Sequence, residues 1–248
     1  MKKLEGKTAL VTGSARGIGA AIAQRLAADG AAVVVNYAKS GAEAEAVAEK
    51  IRKSGGKAVA IKADVSVPTQ AKTLVEAAFK EWGRLDILVN NAGVAKFAPL
   101  EAVDGAHVES QYALNVNGPI FTTQAALPHF SETGGRVINV SSVAATGSMA
   151  GSSVYSSTKA ALEALTRVWA AELGPRGVTV NAVAPGPVET DMLRGAMNTE
   201  MRNGMIARTP LGRLGAPADV ADAVAFLAGD DARWITGQVI ATAGGLKA

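Results

Sequence analysis

The sequence predicts an α/β fold: a doubly wound parallel sheet of seven strands with helices on both faces, three layers in all. Three observations predict it. Short β-rich runs alternate with helical patterns along the whole chain, the rhythm of parallel strands joined by crossover helices. The first apolar run ends in a glycine-rich turn that opens a helix. Turn residues and asparagines then recur just past later strands, where open sheets of this kind bind ligands. Right-handed crossovers complete the doubly wound order.

The expected strands are Lys7–Val11, Ala32–Asn36, Ala58–Lys62, Asp86–Val89, Arg136–Val140, Val178–Val183 and Gln238–Ala241. Expected helices lie near 17–29, 41–53, 69–82, 105–129, 153–174 and 217–228. The first helix shows its buried face as Ile18, Ile22 and Leu26, four residues apart each time. The stretch from Pro187 to Pro210 breaks this rhythm and carries Met192, Met197, Met201 and Met205. Methionine repacks around varied apolar shapes, so residues 187–210 either form a mobile lid over a substrate or use these methionines to hold small helices onto the body.

Composition narrows the function. At 248 residues, 48% of them hydrophobic, the chain suits a single domain spanning 1–248. A net charge of +3, spread along the chain, does not imply a nucleic-acid partner. The absence of cysteine excludes disulfides, thiolate catalysis and cysteine metal sites. His107 and His129 are the only histidines, neither within a ligand motif, so no metal site is expected. Leu4-Glu5-Gly6-Lys7 interrupts any signal-like start, and no apolar run reaches the ~20 residues needed to span a membrane. The expectation is a soluble cytoplasmic protein.

The turn Thr12-Gly13-Ser14-Ala15-Arg16-Gly17-Ile18-Gly19 follows the strand-like run Thr8-Ala9-Leu10-Val11. Strand, glycine turn and helix are the parts of a dinucleotide site. Glycines let the backbone approach a pyrophosphate, which sits at the positive end of the helix. The spacing is GxxxGxG, with the same physics as GxGxxG. Asn90-Asn91-Ala92-Gly93 and Pro185-Gly186 lie past two further strands, with Val188 and Thr190 just beyond.

The reactive groups are Ser142, Tyr155 and Lys159. Tyr155 and Lys159 are four residues apart, on one face of a helix. A phenol beside a buried cation loses its proton more easily and can trade it with a carbonyl or alcohol. Ser142, at the mouth of the run Val137-Ile138-Asn139-Val140, can orient the reacting oxygen. Ser141 is the neighbouring alternative, but one position earlier on a strand points the other way.

With these motifs in this order, including 13 positions from Ser142 to Tyr155, the chain resembles the short-chain dehydrogenase/reductase family nearly end to end, from Gly6-Lys7-Thr8 to Ile235-Thr236-Gly237. It looks nearest to NADPH-dependent 3-oxoacyl reductase-like and carbonyl reductase members. The resemblance implies a Rossmann-type sheet and a catalytic tetrad of Asn115, Ser142, Tyr155 and Lys159. In that scheme Tyr155 is the acid in reduction, Lys159 lowers its pKa and binds ribose hydroxyls, and Asn115 holds a proton-relay water. Asn117 is the rival for the asparagine. The family resemblance favours the mobile lid for residues 187–210.

The resemblance also assigns the cofactor. Members that prefer NAD carry an acid where this chain has Tyr37, and Arg16 is placed as in members that bind NADPH. NADP(H) is therefore expected, held by Gly13, Ser14, Arg16, Gly17, Ile18 and Gly19. Asn36, Tyr37, Ala38, Lys39 and Ser40 would lie at the adenosine ribose, and Asp64 and Val65 at the adenine. Asn91, Ala92 and Gly93 would line the middle, with Tyr155, Lys159, Pro185, Gly186, Val188 and Thr190 at the nicotinamide. Trp169 is expected in the core or at an interface.

The implied reaction is reversible reduction of a ketone or aldehyde to an alcohol, on a small-molecule substrate, by a homotetramer built as a dimer of dimers. One alternative is 3-oxoacyl-[acyl-carrier-protein] reduction. The arginines that grip the acidic carrier in that branch would fall at Ala171 and within Phe130-Ser131-Glu132-Thr133, where this chain has no cation. The other alternative is a non-catalytic NADP(H)-binding redox sensor.

Overall fold

The computed structural model describes residues 2–190, 193 and 198–246. Seven parallel strands, β1 (Thr8–Val11), β2 (Ala32–Tyr37), β3 (Lys57–Lys62), β4 (Ile87–Asn90), β5 (Gly135–Val140), β6 (Val178–Pro185) and β7 (Val239–Thr242), form one sheet. Their order is β3-β2-β1-β4-β5-β6-β7, with every pairing parallel. β1 and β4 are buried throughout, as apolar runs covered on both faces must be. The strand order reverses between β1 and β4, and the crevice beyond their C-terminal ends is where such sheets take ligands.

Alternation along the strands builds two cores. Val33 and Val35 face the layer made by α1 (Gly17–Ala28), α2 (Gly41–Lys53) and α8 (Pro217–Ala228). There they meet Ile22 and Leu26, Val47 and Ile51, and Val224 and Leu227. Leu10, Val34, Leu88 and Val137 face α3 (Pro68–Trp82), α5 (Gly118–Ala126) and α6 (Ser153–Leu173). Trp169 packs half-buried against this second core, as the sequence suggested.

The expected helix 105–129 is not continuous. It divides into α4 (Gly105–Tyr112), a π-helical turn (Ala113–Asn117), α5 and a 3₁₀ turn (Leu127–His129). The cause is local. An α-helix would require residue 119 to donate to the Asn115 carbonyl, and Pro119 has no N–H. The Gly118 N–H reaches back to Ala113 O, which widens the turn. Asn115 and Asn117, poor mid-helix residues, add little resistance. A further α-helix, α7 (Thr199–Arg208), lies in the expected lid segment and has no buried residue.

Candidate active site

The glycine turn is built by interlocking backbones from β1, β2 and β4. Gly13 has φ +61, and a Cβ there would lie 2.8 Å from Ala92 Cα. A Cβ on Gly19 would lie 2.4 Å from Asn91 Nδ2. Side chains at these two positions would fill the cradle and push the β1 and β4 turns apart. Asn91 Nδ2 donates to Thr12 O and Gly13 O, both at 2.9 Å, while Thr12 Oγ1 accepts from the N–H groups of Asn91 and Ala92, both at 3.0 Å. Thr12 thus bolts the two turns together, a role the sequence reading did not assign.

Asn36 and Ser14 lie beneath this turn. Asn36 Oδ1 accepts from Gly13 N at 3.1 Å, and its Nδ2 donates to Ala63 O at 3.1 Å and Ile61 O at 3.3 Å. The side chain is buried and spent on these bonds, so Asn36 shapes the turn from below. Ser14 is likewise buried, with its Oγ donating to Val11 O at 2.8 Å. Arg16 is different: extended backbone at the start of α1, an exposed side chain, and no side-chain partner among the described residues. Gly17 (φ +57) and Ile18 follow at the first turn of α1, where backbone N–H groups point outward.

Past β2, Tyr37 is half-buried with its ring against Gly41, and Ala38 and Lys39 are exposed beside half-buried Ser40. Asp64 Oδ1 accepts from Ser66 N at 3.0 Å and Ser66 Oγ at 2.6 Å, which turns the chain into the start of α3. Val65 is buried against Gly118. Arg16 and Lys39 thus each present an exposed cation, and residues 37–40, at the end of β2 and just past it, include no carboxylate.

The reactive end lies where β4 and β5 meet α6. Ser142 caps the short turn Val143–Ala145, its Oγ accepting from Ala144 N at 3.1 Å. Ser141 points the other way, as strand geometry requires, and its Oγ donates to buried Glu163 at 2.8 Å. Tyr155 and Lys159 are one turn apart on α6. Lys159 is 5% exposed, donates from Nζ to Val140 O at 2.8 Å, and its Nζ lies 5.9 Å from the Tyr155 ring centre. Asn115 is fully buried: its Oδ1 accepts from Val94 N and its Nδ2 donates to Val94 O, both at 2.8 Å, with a further bond to Thr158 Oγ1 at 3.0 Å. A Cβ on Gly93 would lie 3.2 Å from Asn115 Oδ1 and 3.4 Å from Lys159 Nζ, so these two side chains meet beside Gly93, while Tyr155 lies next to Lys159 and hydrogen-bonds Ser142.

The electrostatics depart from expectation in one respect. Burial lowers Lys159 from 10.5 to about 8. Burial also raises Tyr155 above its ordinary value, with hydrogen bonding to Ser142 pulling more weakly the other way. The expected depression of the phenol by Lys159 is therefore not what this geometry yields. Desolvation disfavours the phenolate, and the same desolvation disfavours the charge on the lysine that would offset it.

Beyond β6, Gly186 packs on Ala243, and a Cβ there would lie 3.0 Å from Ala243 Cα. Val188 is buried and bridges to Gly215. A Cβ on Gly17 would lie 3.5 Å from Thr190 Cγ2, so this segment lies across the glycine turn. Of the expected lid methionines, Met201 is exposed and Met205 half-buried, while Met192 and Met197 lie outside the described residues. Among the described residues, no helix is long and apolar enough to cross a membrane.

A family model described as enoyl-(acyl carrier protein) reductase matches residues 13–247. A solved short-chain dehydrogenase from Burkholderia cenocepacia, in complex with NADP, superposes with a TM-score of 0.94 at 41% identity, over 99% of this chain and 100% of that one. The chain belongs to the short-chain dehydrogenase/reductase family. An uncharacterised oxidoreductase from Methylorubrum extorquens is 55% identical over 100% of both chains. A hydroxynaphthalene reductase-like protein from Metarhizium majus is 42% identical, over 98% of this chain and 96% of its own. As a member of this family the protein is an oxidoreductase.

Proposed function

We propose that this oxidoreductase reduces a ketone or aldehyde carbonyl to an alcohol with NADP(H) as cofactor. The observation that carries the reading is the cluster in which Asn115 and Lys159 meet beside Gly93 and Tyr155 lies next to Lys159 and hydrogen-bonds Ser142, near a glycine cradle that side chains at Gly13 and Gly19 would fill. Gly13, Arg16, Gly17, Ile18 and Gly19 would hold the pyrophosphate and 2′-phosphate side, with Lys39 and Ser40 near the phosphate. Tyr37, Asp64 and Val65 would border the adenine, and Gly186, Val188 and Thr190 the nicotinamide. NADPH bound there supplies a hydride to the carbonyl carbon.

The chain's own residues manage the proton. The raised pKa of Tyr155 keeps the phenol protonated at neutral pH, which suits an acid that delivers its proton to the carbonyl oxygen as negative charge develops. Ser142 donates a hydrogen bond to the same oxygen and stabilises that charge. Lys159, held by Val140 O, offers a cation beneath the phenol, and the phenolate recovers its proton from solvent through the polar groups around Asn115. Family practice gives the last step to a water held at Asn115. An uncharged Tyr37 leaves room for a 2′-phosphate, and exposed Arg16 supports the choice of NADP(H) over NAD(H).

The segment 187–210, with the exposed helix α7, would serve as a lid over the substrate. Exposed apolar side chains at Val168, Phe226 and Trp234 support assembly as a homotetramer. A small carbonyl compound is favoured over a carrier-bound thioester because the exposed position 171 is alanine rather than a carrier-gripping arginine. The test follows NADPH absorbance with purified protein and a panel of ketones, aldehydes and one 3-oxoacyl thioester. Turnover of ketones with NADPH, faster than with NADH and faster than the thioester, is expected. Fast thioester turnover would overturn the substrate class, and tight NADPH binding with no turnover on any carbonyl would replace the enzyme with a redox sensor.

A further inference from the structure

Two side-chain amides on one helix face hold the segment that follows β4. Asn115 makes a pair of hydrogen bonds to the backbone of Val94. One turn earlier, Gln111 repeats the pattern on Lys96: Oε1 accepts from Lys96 N at 3.1 Å, and Nε2 donates to Lys96 O at 3.2 Å. Residues four apart on a helix share a face, and alternate residues of an extended segment share one too, so the two amides substitute for a neighbouring strand. Gln111 is fully buried, and its Nε2 also lies 3.0 Å from His107 Nε2. On the other side of the segment, Ala98 N donates to Gly151 O at 2.9 Å.

Between these two anchors sits Phe97. Its ring centre is 5.8 Å from that of Tyr155, with the planes at 70°, an edge-to-face pair. Yet Phe97 is 52% exposed, and Met149, two residues before Gly151, is 49% exposed. An apolar ring anchored on both flanks, touching the reacting phenol and still half open to water, is a wall that gains from being covered. A carbonyl seated at Tyr155 and Ser142 would bring its substituent against this wall. A flat aromatic substituent covers the open ring with the offset or edge-to-face geometry aromatic pairs prefer, and a short aliphatic one leaves it wet.

We infer that Phe97 is a specificity-determining residue that selects carbonyl compounds bearing an aromatic ring next to the carbonyl, and that Gln111 is the positioning residue that holds it there. This rests on the carbonyl-reductase reading above. Without Gln111 the part-buried Lys96 N–H and C=O lose both partners, the segment loosens, and Phe97 no longer faces the substrate in one place.

The test compares acetophenone with butanone for the parent, Phe97→Ala, Gln111→Leu and the double variant, with NADPH saturating. Phe97→Ala is expected to cost acetophenone about tenfold more in kcat/KM than butanone, chiefly through KM. Gln111→Leu should show the same selectivity loss, and the double variant should lose little beyond Phe97→Ala, because the two act through one ring. Equal losses on both ketones, or additive losses in the double variant, would overturn the inference. Calorimetric binding of 1-phenylethanol to the NADPH-loaded protein separates the two readings: no turnover of any carbonyl, but aromatic binding that Phe97→Ala weakens about tenfold, would sink the reductase and keep the aromatic subsite. No aromatic binding to the parent would sink the subsite. Phe97→Ala alone decides the matter if Gln111→Leu fails to fold.

Discussion

Replacing Lys159 by methionine tests the buried cation at the centre of the site. In the unfolded chain this lysine ionises near 10.5, and in the fold burial brings it to about 8. Below about pH 8 both states carry the charge, and the fold bears the full cost of an ammonium out of water, about 3 kcal/mol for that difference in pKa. Between about pH 8 and pH 10.5 the folded lysine has lost its proton while the unfolded one keeps it, so the unfolded state binds more protons and stability rises with pH. Above that window both are neutral and the cost is gone. Methionine removes this dependence. It also orphans Val140 O, a pH-independent loss of about 1–3 kcal/mol, so the slope with pH, not the absolute stability, carries the information. Urea unfolding of parent and Lys159→Met without cofactor, from about pH 7.5 to about pH 10, should show the parent gaining about 2 kcal/mol relative to the variant. A difference that stays flat across that range would refute the depressed pKa and the dry environment assigned to the Nζ.

Two further substitutions probe the cofactor end. Gly19→Ala places a Cβ where Asn91 Nδ2 now lies, 2.4 Å away. It should break the bonds to Thr12 O and Gly13 O and weaken NADPH binding at least about tenfold in a fluorescence titration, while binding at the parent's affinity would show that the cradle yields without cost. Arg16→Ala should weaken NADPH by about 10- to 100-fold and leave NADH nearly unchanged, since a guanidinium–phosphate contact exists only with the former. Equal loss with both cofactors would remove Arg16 from the phosphate.

The fold was legible because its signals are local and repeated. Apolar strands such as Ile87-Leu88-Val89, each followed by a turn, dictate a buried parallel sheet whatever the details of the loops. Glycines whose missing side chains make room for a neighbour, such as Gly13 and Gly19, and the Tyr155–Lys159 spacing mark the two ends of the candidate site. The broken helix is written in the sequence as Asn115-Val116-Asn117-Gly118-Pro119, but the helical pattern on either side masks the effect of the missing Pro119 N–H. Asn36 and Ser14 lie in the expected place, yet their side chains face inward, because which atom a buried polar group satisfies depends on backbones far apart in sequence. The same holds for Gln111 and Thr12: one bonds a segment 15 residues away and the other a turn 79 residues away, and no spacing rule connects them. The balance at Tyr155 was not legible at all, since it depends on how deeply phenol and ammonium are buried together.

The central claim is that Tyr155 delivers the proton in a carbonyl reduction, and Tyr155→Phe tests it most directly. Measured by NADPH consumption with the best ketone of the panel and by NADPH titration of the same preparations, the variant should lose at least about 100-fold in kcat while binding NADPH as the parent does. A Tyr155→Phe protein that turns over at the parent's rate would contradict the account.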